Sequence, residues 1–232
     1  MSEFINCDCM QLLKSLPDKA IDLAVVDPPY GGGGRELNDP DELGVHFYGR
    51  GRSKKYADVR NENITAERTG GTWASKYGTK INAWDNAPPP EYFEELFRVS
   101  KNQIIWGGNY FELPPTRCFL VWKKLTISEN FTMAMCEYAW TSFNENAKLF
   151  ECAPQDKTRF HPTQKPVALY EWILSRYAKE GDKILDTHAG SGSSLVACDN
   201  LGFEYIGCEI DEFYYNQAKE RIENNKAQLR FF

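Results

Sequence analysis

The sequence predicts an α/β fold on an open, doubly wound sheet, and three observations carry that expectation. Residues 183–209 read as strand, glycine-rich turn, helix, strand and acid. Near the start, the apolar run Ile21–Val26, broken only by Asp22, stops abruptly at Asp27-Pro28-Pro29. Between these ends lie three more strand-like runs, Gln103–Trp106, Cys118–Trp122 and Cys136–Phe143. In open α/β sheets, chemistry gathers at the carboxyl ends of strands, which is where Asp27 falls.

The chain's 232 residues are enough for one domain with a sizeable core. Apolar content of 42% and charged content of 26% fit an ordinary soluble protein. The longest clear apolar run, Cys118–Trp122, is far short of the roughly 20 residues that cross a bilayer, so no membrane role is expected. Met1–Met10 carries Glu3 and Asp8 and no basic residue, unlike a secretory signal. Leu229–Phe232 holds no prenylation motif. Seven cysteines are scattered without a Cys-x-x-Cys pair, which argues against a zinc site and for a reduced, cytoplasmic protein. No metal is expected.

Along the chain, Met10–Leu16 reads as a short helix ahead of the first strand. Residues 31–87 read as an insertion: four consecutive glycines, Gly31–Gly34, are followed by few apolar residues and no clear period. Order returns with a helix over Pro89–Ser100, proline near its start. The last third predicts a helix over Val167–Ala178, a strand over Lys183–Asp186, a helix over Ser194–Leu201, a strand over Glu204–Cys208 and a polar helix over Glu212–Lys226.

Gly190-Ser191-Gly192 lets a ligand approach the backbone, and Glu209, 19 residues after Gly190, can accept hydrogen bonds from ribose hydroxyls. A pyrophosphate fingerprint would need a third glycine, and Leu195 stands there instead. A nucleoside cofactor without phosphate fits better than a dinucleotide, which keeps a dinucleotide-dependent oxidoreductase as a distant rival.

Asp27-Pro28-Pro29-Tyr30 is the most specific feature. Prolines stiffen the turn and remove N–H groups, so the backbone offers carbonyls. An exocyclic amine of a base is a poor nucleophile, because its lone pair is delocalised into the ring. Acceptors at the Asp27 carboxylate and the Pro28 carbonyl would localise that pair, and Tyr30 would stack on an extruded base. Alone, the tetrapeptide also reads as a strand ending in a proline turn.

Together these residues resemble the beta-group amino-methyltransferases, which modify adenine N6 or cytosine N4 and place the catalytic motif ahead of the glycine motif. The resemblance implies a Rossmann-like methyltransferase fold, mostly parallel with an antiparallel strand, in permuted motif order. It implies S-adenosylmethionine as cofactor and DNA as substrate, in a bacterial or phage-encoded protein. Asn6-Cys7-Asp8-Cys9-Met10 is similar to the family's short acidic motif, which makes Asp8, with Cys9, a contact for the cofactor's adenine. His161-Pro162-Thr163-Gln164-Lys165-Pro166 is similar to a motif in which Thr163 and Lys165, beside His161, help hold the methionine portion. Asp186, Ala189, Gly190, Ser191 and Gly192 match the glycine motif, and Glu209 with Ile210 matches the ribose motif. The family usually has Pro-Phe where this chain has Thr187-His188, which alters the pocket's packing.

Cytosine N4 enzymes of that family more often begin the tetrapeptide with Ser, so Asp27 favours adenine N6. Protein glutamine methyltransferases usually begin it with Asn. Cytosine C5 chemistry needs a cysteine nucleophile, commonly after proline, and there is no Pro-Cys here. A rival of another class is a non-catalytic nucleic-acid-binding subunit with the same fold, against which the intact tetrapeptide weighs. The net charge of −6 argues mildly against nucleic acid. Locally, Arg50, Arg52, Lys54, Lys55 and Arg60 face only Asp58, with Phe47, Tyr48 and Tyr56 interleaved, so the insertion offers a DNA-contacting loop. Residues 123–160 are a second candidate for target recognition. So short a reader implies a short recognition site or a homodimer sharing the work. Neither the site nor a partner restriction nuclease can be read from the chain.

Overall fold

The computed structural model describes residues 2–30, 86–128, 134–154 and 158–229. Packing divides the chain into two units, Met1–Pro28 with Pro89–Phe232, and Pro29–Pro88. Most of the second unit lies outside the described residues. The first unit contains every helix and strand discussed below.

In chain order these are β1 (Glu3–Asn6), α1 (Cys9–Ser15), β2 (Ile21–Val26), α2 (Pro90–Val99), β3 (Ser100–Trp106), β4 (Phe119–Lys124), β5 (Cys136–Thr141) and β6 (Lys148–Cys152). They continue with α3 (Val167–Tyr177), β7 (Lys183–Asp186), α4 (Ser193–Leu201), β8 (Glu204–Glu209) and α5 (Glu212–Leu229). The strands form one sheet in the order β1-β8-β7-β2-β3-β5-β4-β6. All pairings are parallel except the two made by β5. The fold is the expected mostly parallel α/β sheet with an antiparallel strand.

Strand alternation sorts the core into two layers. Leu23 and Val25 of β2 point to one face, where α3, α4 and α5 supply Leu169, Ile173, Leu195 and Ile222. Ala24 and Val26 point to the other, where α1 and α2 supply Leu12, Leu13, Tyr92 and Leu96. With both faces covered, β2 is apolar throughout except at Asp22. That carboxylate accepts hydrogen bonds from Lys101 Nζ (2.6 Å) and the Lys183 N–H (2.9 Å), so the break in the apolar run ties β2 to both neighbours. The Lys101 bond, followed by the Lys183 bond, holds its carboxyl below the usual range.

Two strands escaped the sequence reading, β1 and β6. Each is an edge strand of four or five residues, half exposed, with too little apolar signal to stand out. Residues 123–160 contribute β5 and β6, so any reader there is mounted on the sheet itself. The pairing of β2 with β7, Leu23 opposite Ile184 and Ala24 opposite Leu185, has the larger consequence. It sets the ends of two strands far apart in sequence side by side, bringing Asp27 beside Asp186.

Candidate active site

The β2 end carries Asp27, and Pro28 closes the first unit; Pro29 and Tyr30 open the second. Lys165, in the loop before α3, forms an ion pair with Asp27 Oδ2 and a second with Glu137 Oε2 at 3.1 Å. Glu137 in turn meets Lys124 at 2.5 Å through Oε1. The Lys165 side chain is 3% exposed and that of Asp27 14%. The Lys165 ammonium also lies 5.2 Å from the Trp106 ring, at the end of β3. Burial by itself would lower the Lys165 pKa, and Asp27 and Glu137 together overcome this and raise it. Burial likewise favours protonated Glu137, but Lys165 and Lys124 reverse the effect and hold its carboxyl at about 2.

The resemblance implies that Lys165 helps hold a cofactor's methionine portion; in the structure its amine is engaged by Asp27 and Glu137. Sequence reasoning missed Glu137 and Lys124, although a signal existed. Within β5, Glu137 shares its side with Ala139 and Thr141, and within β4, Lys124 shares its side with Leu120 and Trp122. All four of those neighbours are buried, so strand parity points both charges inward.

The second part of the site lies at the ends of β7 and β8. Gly190 adopts φ of +51°, and a Cβ there would stand 3.2 Å from the His161 ring. Its N–H donates to Glu209 Oε2 (2.9 Å), while the Asp211 N–H donates to Oε1 (2.9 Å). Burial raises the Glu209 pKa against these bonds. Asp186 is buried and accepts from the Ser194 hydroxyl and from the His188 N–H (3.0 Å). Burial pushes its carboxyl up to about 7 despite those bonds, with the charges of Asp27 and Glu209 adding to the rise. Arg221 braces the turn through the Ser191 carbonyl (3.0 Å) and the Ser193 hydroxyl (2.9 Å). The Ala189 N–H donates to the Cys208 carbonyl (3.0 Å), and Gly192 starts α4 at φ of +71°.

His161 packs against this turn. Its ring lies edge-on to Tyr214 at 4.3 Å, and its Nδ1 faces the Thr163 N–H and hydroxyl at 3.3 and 3.2 Å. Burial, then Arg159 and Lys165, lower its pKa to about 3, so it is neutral at ordinary pH. His188, the departure from the family pattern, joins a chain in which Tyr92 Oη meets Thr187 Oγ1 (2.6 Å) and Thr187 Oγ1 meets His188 Nδ1 (3.0 Å). Burial lowers the His188 pKa to about 4, opposed by Asp8. Thr187 thus gives the ring an anchor that a Pro-Phe pair could not offer.

Asp8 caps α1, its Oδ1 accepting from the Met10 and Gln11 N–H groups at 2.9 and 3.1 Å. Cys9 is partly buried, and burial, with Asp8, raises its thiol to about 11. Ile210 is 61% exposed, and its carbonyl is held by Asn6 Nδ2 at 3.2 Å. Arg50, Arg52, Lys54 and Lys55 lie outside the described residues. Among the described residues no cluster of His, Cys, Asp and Glu could hold a metal ion, and no helix is long and apolar enough to cross a membrane. A hollow of about 530 Å³ lined by Phe97, Gln103, Arg117 and Phe143 shares no residue with this constellation.

The fold is a mostly parallel α/β sheet in which the strand ending at Asp27 precedes the glycine turn in the chain, with acidic residues at the ends of β7 and β8. The solved structure of the M1.HpyAVI–SAM complex has this fold, with 20% identity, a TM-score of 0.53, and coverage of 95% of this chain and all of that one. So does the PvuII DNA methyltransferase (cytosine-N4-specific), with 13% identity, a TM-score of 0.53, and coverage of 98% and 92%. In sequence, YubD of Escherichia coli (strain K12), whose name calls it a methylase, is 26% identical over 229 residues, 96% of this chain and 90% of that protein. The type II methyltransferase M.HpaI of Haemophilus parainfluenzae is 44% identical over 64 residues, 28% of this chain and 20% of that enzyme. The family model for N6/N4 DNA methylases matches residues 139–220.

Proposed function

We propose that the protein transfers a methyl group from S-adenosylmethionine to adenine N6 in DNA. The observation that carries this reading is Asp27 at the end of β2, ion-paired with buried Lys165 and adjoining the acidic cofactor side formed by Asp186 and Glu209.

The donor set fits the cofactor. Glu209 offers a carboxylate fixed by two backbone N–H groups, suited to ribose hydroxyls. Asp186, Asp27 and Glu209 form an acidic pole with mutual repulsion, which a sulfonium and an ammonium would relieve. Asp8 and Cys9 would border the adenine. His161 and Thr163 would shape the wall behind Gly190, and Ala189, Ser191, Gly192 and Ile210 the rest of the pocket. When bound, the cofactor supplies an electrophilic methyl on positively charged sulfur.

The chain's own residues prepare the nucleophile. The target amine donates its two N–H bonds to the Asp27 carboxylate and the Pro28 carbonyl. This draws the lone pair out of the ring and aims it along the N–C bond to be made. Pro29 keeps the turn rigid, and Tyr30 stacks on the base once it leaves the duplex. Transfer would break the methyl carbon–sulfur bond and leave a neutral thioether, the nitrogen would shed one proton to solvent by way of the Asp27 carboxylate, and no covalent enzyme adduct is required.

The choice of adenine rests on Asp27 in the first position of the tetrapeptide. Incubation with labelled S-adenosylmethionine and mixed-sequence DNA, followed by nucleoside analysis, tests it. N6-methyldeoxyadenosine is expected; N4-methyldeoxycytidine in its place would overturn the assignment. We assign Arg50, Arg52, Lys54 and Lys55 to phosphate contact. Replacing all four with Ala should weaken DNA binding and reduce the slope of log affinity against log salt by up to about 4. An unchanged slope removes that loop from the DNA surface.

A further inference from the structure

We propose that Glu137 and Lys124 are positioning residues for methyl transfer, the outer half of a charge-neutral chain, Lys124–Glu137–Lys165–Asp27, that keeps Lys165 cationic and the Asp27 carboxylate fixed. The proposal rests on the reading of Asp27 as the acceptor for the target amine.

The geometry is specific. Four alternating charges come from four separate elements: Lys124 ends β4, Glu137 lies on β5, Lys165 precedes α3 and Asp27 follows β2. Each lysine also faces an indole, Lys124 at 5.2 Å from Trp122 and Lys165 at 5.2 Å from Trp106. Both ammonium groups therefore sit where water is scarce, and each needs an anion. Lys165 has two anions and Lys124 shares one of them, so the four charges cancel. Glu137 pairs with Lys124 and Lys165 and takes no part in the hydrogen bonds proposed for the target amine. Its effect passes through Lys165, whose ammonium bridges it to Asp27.

The other titratable groups near Lys165 set the direction of a pH test. His161 faces it from the preceding loop and is held neutral by burial. Tyr170 on α3 feels Asp27, Glu137 and Asp186, and burial raises its hydroxyl well above the usual range. Asp186 at the end of β7 feels Asp27. Among these, Asp27 and Glu137 are the anions that counter the burial of Lys165. Removing the Glu137 charge leaves two buried ammonium groups against one carboxylate, so Lys165 gives up its proton at lower pH.

The test is Glu137→Gln, which keeps shape and hydrogen bonding, alongside Lys124→Met/Glu137→Gln, which restores neutrality. Turnover is read as total labelled methyl transferred to DNA, whichever base receives it, and cofactor affinity by calorimetry. For E137Q the expected result is a kcat lowered about 10-fold or more, an unchanged cofactor Kd, and an alkaline limb of the kcat profile moved to lower pH. The double variant should recover most of the lost kcat. An E137Q enzyme with wild-type kcat and pH profile overturns the proposal. So does a double variant no better than E137Q, or loss of cofactor affinity in step with kcat, either of which marks Glu137 as structural only. Wild-type transfer to cytosine would overturn the adenine assignment and leave this test intact.

Discussion

The two halves of the site treat buried negative charge in opposite ways. On the side proposed as catalytic, Asp27 and Glu137 are matched by Lys165 and Lys124, and the four groups cancel. On the side proposed for the cofactor, Asp186 and Glu209 are met mainly by neutral donors, a serine hydroxyl and backbone N–H groups, and burial raises both. The first arrangement is balanced by the chain's own lysines; on the proposed mechanism it holds an acceptor in place for a neutral amine. The second is left short of positive charge, which a sulfonium and an ammonium would supply. A buried carboxylate costs several kcal/mol unless compensated, so the source of compensation separates a preorganised group from one that awaits its ligand.

The contrast can be broken most sharply at Asp27. Asp27→Ala should lower methyl transfer about a thousand-fold while cofactor affinity stays within a few-fold of wild type, read by single-turnover assay and calorimetry. Full turnover by this variant would end the mechanism. Asp186→Asn should do the reverse, weakening cofactor binding about 10-fold to 100-fold while raising the melting temperature of the free protein above pH 7 by a few degrees, roughly. The sign follows from linkage. A carboxyl at about 7 in the folded state binds its proton more tightly than in the unfolded chain. The aspartate therefore costs stability as pH rises from its ordinary value towards 7, and an amide removes that cost. An unchanged melting curve at pH 8 would show that Asp186 carries no such penalty.

A finer test needs no mutation. If a cation ionises Asp186 on binding, affinity for S-adenosylmethionine should rise with pH by up to about 10-fold per unit below 7 and level off above it. Calorimetry in buffers of different ionisation enthalpy should record proton release near pH 6.5. Proton uptake, or none, would separate Asp186 from the cofactor. The smallest effect is expected at Gly190, where φ of +51° and the nearby His161 ring oppose any side chain. Gly190→Ala should cost about 1–3 kcal/mol of stability by chemical denaturation. Its effect on kcat at saturating cofactor should be slight, since the catalytic chain is untouched.

Particular residues show how far the sequence could be read. Asp27, Gly190 and Glu209 stand in short contiguous motifs, where local backbone demands and chemistry coincide. They were legible for that reason. The strands of the sheet's interior were legible too, since burial on both faces leaves an apolar run that only Asp22 interrupts. Edge strands β1 and β6 were not, because pairing along one side and half exposure leave little compositional trace. Lys165 was visible as a motif residue, but its partner was not. Its link to Glu137 spans distant elements, and no spacing rule connects them.

By itself, then, the sequence determined the fold class, the order of the Asp-Pro-Pro-Tyr and glycine motifs, and the residues that end β2, β7 and β8. These depend on local patterning: period-2 burial, proline-stiffened turns and glycines at positive φ. Tertiary structure alone decided which charges meet. Placing β5 antiparallel between β3 and β4 brings Glu137 to Lys124 and Lys165. Pairing β2 with β7 sets Asp27 beside Asp186. Coulomb energy depends on distance through the folded chain, and a linear sequence does not contain that distance.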